Sequence, residues 1–274
     1  MPTPRIKKRR RIAKIKALAE HVGIVFSGTV FVLAGIVFVA RLDEVTIQKV
    51  SVEGERAIDP SEVVQLTGEV LSGSYVFLPK RNILIYPEKA LKSYLEYHLP
   101  RIESVEIKRK DLNSLRISIV ERELVALWCG EEPGGTDFCY FVDEEGFVYS
   151  PSPFSSGDVL FRYYGGDVNP RSPLRSHFAQ PDWLYELKEF TYYLEELNLT
   201  AKGIHLKEDD FEVLLMNDSR LHLTRDGSME EAFTRLRSLF RGSEHSFIVD
   251  GDPTFDYIDL RFGNRVFYKK KNDE

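Results

Sequence analysis

From Val22 to Ala40 the chain carries no charged residue, and eight Lys/Arg crowd the stretch just before it, from Arg5 to Lys16. As a helix rising about 1.5 Å per residue, those residues extend roughly 28 Å, close to the ~30 Å hydrocarbon thickness of a bilayer. A single transmembrane span is the direct reading. Gly23, Gly28, Ala34 and Gly35 are compatible with it, because no water competes in lipid for helical backbone hydrogen bonds. A cleaved signal peptide would have a shorter apolar core and a small-x-small site, and Phe38-Val39-Ala40 places a bulky residue there. The span is therefore read as a retained anchor. Cations beside a span stay cytoplasmic, and only Arg41 flanks the far side, so the expectation is a basic cytoplasmic tail (1–21), a span (22–40) and an extracytoplasmic remainder.

Residues 1–21 hold eight of the 37 Lys/Arg and one of the 43 Asp/Glu, which leaves a net charge of −13 beyond the span. An acidic ectodomain disfavours nucleic acid or an anionic membrane face as its main partner. About 230 residues suffice for two ordinary domains, each with its own core. Only Cys129 and Cys139 are present, separated by turn-forming Gly130-Glu131-Glu132-Pro133-Gly134-Gly135 and then Thr136-Asp137-Phe138. This spacing suits a disulfide closing a hairpin, with two free thiols as the alternative.

Val45 to Val52 is β-branched and ends at Glu53-Gly54, a strand leading to a turn. Asp59-Pro60 then supplies an N-cap and a first helical residue, and Val63, Val64, Thr67 and Leu71 share one face. Pro87 to His98 forms a second helix, with Ala90, Leu91, Tyr94, Leu95 and His98 at helical spacing. Two alternating runs, Val105–Arg109 and Leu115–Glu121, follow around a polar turn. Strand, helix, helix, strand, strand implies a three-stranded sheet with two helices on one face, the order of a POTRA domain.

Downstream, the Pro-, Gly- and Ser-rich stretch from Ser150 to Pro181, with Phe154, Leu160, Phe161, Tyr163 and Tyr164, reads as an irregular connection docked by its aromatics. Pro181 to Leu197 is a helix with Leu184, Leu187, Phe190 and Leu194 on one face, and Met229 to Phe240 is another. Strand-like Gly203–Leu206, Phe211–Met216, Leu221–Thr224 and a final run from Tyr257 to Tyr268 imply a mixed sheet flanked by helices. The fold class expected is thus α+β: an N-terminal transmembrane helix, a β-α-α-β-β POTRA domain over 45–122, a mixed β-sheet domain over 123–268, and a short tail over 269–274.

Val50-Ser51-Val52-Glu53-Gly54, Leu99-Pro100-Arg101-Ile102-Glu103-Ser104-Val105 and Val120-Glu121-Arg122-Glu123-Leu124-Val125-Ala126-Leu127-Trp128 resemble the bacterial cell-division family FtsQ, also called DivIB. Phe141–Val148 and Tyr257–Val266 resemble that family's strand-turn-strand and its final strand, and together the motifs cover nearly the whole chain. Leu124 stands where the family usually has Pro, and Phe262 where it has Tyr, which removes a hydroxyl. The resemblance implies a non-catalytic scaffold in the cell membrane at the division septum. Its last strand would receive an FtsB-like chain arriving with an FtsL-like chain, and so influence septal peptidoglycan synthesis by FtsW/FtsI-like synthases. The matching contact positions are Tyr257, Arg261, Phe262, Gly263, Asn264 and Arg265. Strict alternation places Arg261 and Phe262 on opposite faces.

No Gly-x-Ser-x-Gly, His-Glu-x-x-His or phosphate-loop pattern occurs, so neither catalysis nor a cofactor or metal is expected. His205 and His222 lie in successive strands but lack a clear carboxylate partner in the sequence, and Asp209-Asp210 and Asp250-Gly251-Asp252 lack the spacing of a calcium loop. A POTRA-bearing chaperone or transport component that binds extended polypeptide is the runner-up. It predicts several POTRA units or a β-barrel.

Overall fold

The computed structural model describes residues 4–135, 138–153, 160–216, 218–242, 247–249 and 252–271, with side chains from residue 20 onward. Phe154, Thr136-Asp137 and Asp250-Gly251, which figured in the sequence reading, lie outside the described residues. Two compact units divide the chain, Met1–Glu121 and Arg122–Glu274.

The first unit opens with one continuous helix, α1 (Pro4–Val39), which contains the apolar span Glu20–Val39. A 3₁₀ turn, Asp43–Val45, leads to β1 (Lys49–Glu53). Then come α2 (Pro60–Leu71), the short hairpin β2 (Ser74–Tyr75) and β3 (Leu78–Pro79), α3 (Glu88–His98), β4 (Ile102–Asp111) and β5 (Ser114–Glu121). The sheet order is β1-β5-β4, with β1 parallel and β4 antiparallel to β5. Val63, Leu71, Leu91 and Leu95 pack onto Val105, Ile107, Leu115, Ile117 and Ile119, so the helical stripes meet the apolar alternation of the strands. Val64, placed on the buried stripe of α2 from sequence, is exposed; it lies one step round the helix from Val63.

Two local devices hold this unit's turns. Asp59 accepts the Ser61 amide at 2.8 Å, satisfying one of the free N–H groups at the start of α2. At the end of β5 the buried Glu121 carboxylate accepts three backbone N–H groups, from Arg56, Ala57 and Ile58, at 2.6, 2.9 and 3.0 Å. Burial alone would raise its pKa, but those three donors outweigh it and hold the value below the ordinary one. Gly54 adopts φ +91°, and a Cβ there would lie 2.3 Å from the Ile119 carbonyl oxygen, so only glycine fits this turn.

The second unit contains β6 (Ala126–Trp128), β7 (Tyr140–Val142), β8 (Phe147–Pro151), β9 (Arg162–Gly165), β10 (Ser176–His177), α4 (Pro181–Leu194), β11 (Ala201–Leu206), β12 (Asp210–Leu215), β13 (Arg220–Thr224), α5 (Met229–Gly242), β14 (Ile248–Val249), β15 (Asp252–Pro253), β16 (Phe255–Phe262) and β17 (Arg265–Lys270). All these strands except the small β14–β15 pair join one mixed sheet of order β10-β8-β7-β6-β9-β11-β12-β13-β16-β17. Leu184, Leu187, Phe190 and Leu194 of α4, with Phe233 and Leu236 of α5, pack with Ile204, Phe211, Val213, Leu221, Leu223 and Ile258 on one face of the sheet.

The connection from Ser150 to Pro181 departs from the expected irregular path. Its Arg162–Gly165 segment is a central strand, parallel to both β6 and β11, with Tyr163 and Tyr164 buried. Adjacent tyrosines suit a strand covered on both faces. The Cys129–Cys139 disulfide closes the loop between β6 and β7, next to the Trp128–Tyr140 pair.

Candidate partner interface

The run from Tyr257 to Tyr268 is not one strand. Gly263, at φ +54°, and Asn264 turn the chain, so that β16 and β17 form a hairpin and β17 is the terminal strand of the sheet. The position of the free edge is thereby corrected: β16 is paired with β13 on one side and β17 on the other, and the edge backbone belongs to Arg265–Lys270. Lys269 and Lys270, assigned to a tail from sequence, are part of that strand. A Gly-Asn pair between two alternating runs is a hairpin signal and could have located the turn.

The six sequence-selected residues accordingly separate. Gly263 and Asn264 form the turn, and Arg265 begins the edge strand. Arg261 is engaged within the fold: its guanidinium donates to Asp210 at 2.6 Å and to both carboxylate oxygens of Asp259 at 3.0 and 2.7 Å. Those bonds raise the Arg261 pKa above the ordinary value. Burial pushes the Asp259 carboxyl upward, and the Arg261 bonds more than offset it, so the net shift is downward. Tyr257 packs edge-on against His222, with ring centroids 5.5 Å apart.

Phe262 is 54% exposed, and its ring meets Phe267 of β17 at 5.5 Å, perpendicular; Phe267 is itself 49% exposed. The ladder is irregular between Asp259 and Phe262, and Arg261 Cζ lies 5.6 Å from the Phe262 ring centroid. The alternation that would have separated the two side chains is lost at this irregularity. Tyr268, exposed on its outer part, abuts Phe247 at 5.1 Å. Phe267 and Tyr268 are partly exposed aromatics of the edge strand that the sequence-selected set did not include.

Beside the edge, the sheet face turned away from α4 and α5 carries a polar row set by cross-strand register: His205 opposite Glu212, Glu212 opposite His222, His222 opposite Asp259, and Asp259 opposite Phe267. Glu212 supplies the carboxylate that the two histidines lacked in the sequence, with His222 Nδ1 at 3.3 Å and His205 Nδ1 at 3.8 Å. Lys207 and Arg220 also reach it, at 2.5 and 3.5 Å. His205 and His222, followed by Lys207, hold the Glu212 carboxyl far below the ordinary range despite its burial. Among the described residues no group of three or more His, Cys, Asp or Glu is arranged to hold a metal ion. The row gathers Lys207, Arg220 and two histidines around one buried carboxylate.

What the hairpin can do is pair. An edge strand of six residues leaves a line of backbone donors and acceptors, and the Phe262–Phe267 pair adds apolar surface that a second chain could cover.

Comparison with known proteins agrees with this architecture. Residues 45–122 match the model of the FtsQ-type POTRA domain. Over 173 residues the chain is 26% identical to the cell division protein FtsQ of Escherichia coli (strain K12), covering 63% of this chain and 56% of that protein. The chain thus spans little more than half the length of the relative it matches.

Proposed function

We propose that the chain is a cell-division membrane protein of FtsQ/DivIB type, a scaffold of the division machinery that captures a partner by strand addition to β17. The observation that carries this reading is the terminal β17 strand, unpaired on its outer side among the described residues and flanked by the exposed Phe262–Phe267 pair. Backbone pairing would supply affinity, and the aromatic pair with Tyr257 and Arg265 would supply selectivity. The partner class is a small single-pass division protein of FtsB type, accompanied by one of FtsL type, with FtsW/FtsI-like septal synthases acting further along.

In this reading the basic tail is cytoplasmic, the chain from Arg41 onward is extracytoplasmic, and the protein acts at the septum without chemistry of its own. The second domain, from residue 123 to the end of β17 at Lys270, is the partner-binding domain, and the Cys129–Cys139 disulfide forms in the oxidising compartment. Confinement by α1 raises the effective concentration for other anchored chains, so weak pairwise contacts suffice.

The test is photocrosslinking from the full-length protein in its own cells, with the crosslinking amino acid placed in turn at 262, 264, 267 and 268 and the captured chain identified by mass spectrometry. Capture of a small single-pass coiled-coil protein from the β17 positions, and not from Ser176 on the opposite sheet edge, is expected. Capture of assorted secreted polypeptides, or none from any β17 position, overturns the reading.

A further inference from the structure

The β2–β3 hairpin has an apolar tip that nothing in its own unit covers. Tyr75 pairs with Leu78, so Val76 and Phe77 are the two central residues of a tight turn, and they are 83% and 65% exposed. Val76 adopts φ +53°, in a turn position that favours glycine because a side chain there is strained. A β-branched residue is the least suited to it. The turn therefore keeps two large apolar side chains against both backbone preference and water, and strain retained in this way marks a place where the side chains are used.

The position of the tip says by what. Arg41, the second residue beyond α1, donates from Nη2 to the Phe77 carbonyl at 3.2 Å, and Asn82 Nδ2 donates to the Ala40 carbonyl at 3.0 Å. The amides of Ile47 and Ile83 donate to the Arg81 and Val45 carbonyls at 2.8 and 2.9 Å. The hairpin is thus tied to the first residues after the membrane span. Leu84, 60% exposed, follows immediately. Leu112, another exposed apolar residue, lies in the β4–β5 turn next to Asn113, whose carbonyl accepts the amides of Gln48 and Lys49 at the start of β1.

We propose that the Val76-Phe77 tip is a second membrane contact, inserted into the lipid interface of the leaflet from which α1 emerges. Here Lys80, whose ammonium lies 5.9 Å from the Tyr75 ring centroid, and Arg41 stand at headgroup level. Because Asp43 and Glu44 sit at the same end of the unit, the contact is chiefly apolar and only weakly dependent on salt or on anionic lipid. It fixes which face of the domain looks away from the membrane.

The experiment uses the full-length protein, one copy per nanodisc of phosphatidylethanolamine and phosphatidylglycerol. Phe77→Cys carries an environment-sensitive fluorophore, and Val120→Cys at the far end of β5 is the reference. A blue-shifted emission at 77, iodide quenching several-fold weaker than at 120, and stronger quenching by a shallow nitroxide lipid than by a deep one are expected, largely unchanged by salt. Leu84→Cys gives a second reporter, whose lipid quenching drops when Val76 and Phe77 are both changed to Ser. Equal iodide access at 77 and 120 overturns the proposal. So does protection from iodide without lipid quenching, which would mean that protein covers the tip.

Discussion

The large sheet ends in two edges that are treated differently. At one, β10 is only two residues, Ser176–His177, and the next residue, Phe178, is fully buried in the core. At the other, β17 runs for six residues and keeps Phe267 and Tyr268 partly in solvent. Shortness blunts an edge because too few backbone groups remain to nucleate pairing. The long edge has no such protection apart from the cations Arg265, Lys269 and Lys270, which discourage pairing with a second copy of the same strand. A protein that blunts one edge and leaves the other long treats them as different surfaces.

The comparison breaks most severely at Phe267. Changing it to Glu puts a charge where an apolar contact is proposed, and partner affinity measured with full-length protein should fall about 100-fold or more, roughly 3 kcal/mol. Unchanged affinity would remove β17 from the interface.

Next comes Arg261→Ala, which leaves the nearly buried Asp259 carboxylate without its main partner. Thermal unfolding should show a loss of about 2 kcal/mol, below the 3–5 kcal/mol of a fully buried pair because Arg261 is about a third exposed. Partner affinity should change much less than in Phe267→Glu, since Arg261 already uses its donors internally.

A smaller effect concerns pH. The folded-state pKa of Glu212 lies below its ordinary 4.5, so its ion pairs contribute fully above that value and are lost as pH falls through and below it. Chemical unfolding between pH 6 and pH 3 should therefore show a steeper loss for the native protein than for Glu212→Gln, which starts about 1–2 kcal/mol less stable at pH 6. Parallel profiles would mean that these ion pairs contribute nothing measurable.

Smallest is His177→Glu at the short edge, which gives up one ring contact with Phe147 and is expected to cost under about 1 kcal/mol and to leave partner binding unchanged. A loss of partner binding here would show that both edges take part.

Features with a local period were readable before any coordinates. The charge-free run before Arg41 gives the span, and the stripes Leu91/Leu95, Leu184/Leu187/Phe190/Leu194 and Phe233/Leu236 are buried at their helical spacing. Features that depend on register between distant strands were not. Glu212 lies seven residues from His205 and ten from His222, and only the antiparallel returns β11–β12 and β12–β13 set the three side by side. β9 was hidden because Gly, Ser and Pro around Arg162–Gly165 outweighed four strand residues in a composition reading. At Gly263-Asn264 the turn chemistry was present, but β-rich residues on both sides made one long strand look continuous. That single misplaced turn shifted the candidate interface from Arg265–Lys270 back onto β16.

The bonds that join Ala40 and Arg41 to Asn82 and Phe77 leave little slack between the membrane helix and the domain that follows. Such a joint works as a keyed shaft. Adding one residue to α1 just before Val39 would turn the whole β1–β5 unit by about 100° relative to the helix surface within the bilayer and lift it about 1.5 Å. The compass heading of this domain about the membrane normal is therefore written in the residue count of the span, and any lateral neighbour gripping one face of α1 also chooses which side of the domain it meets.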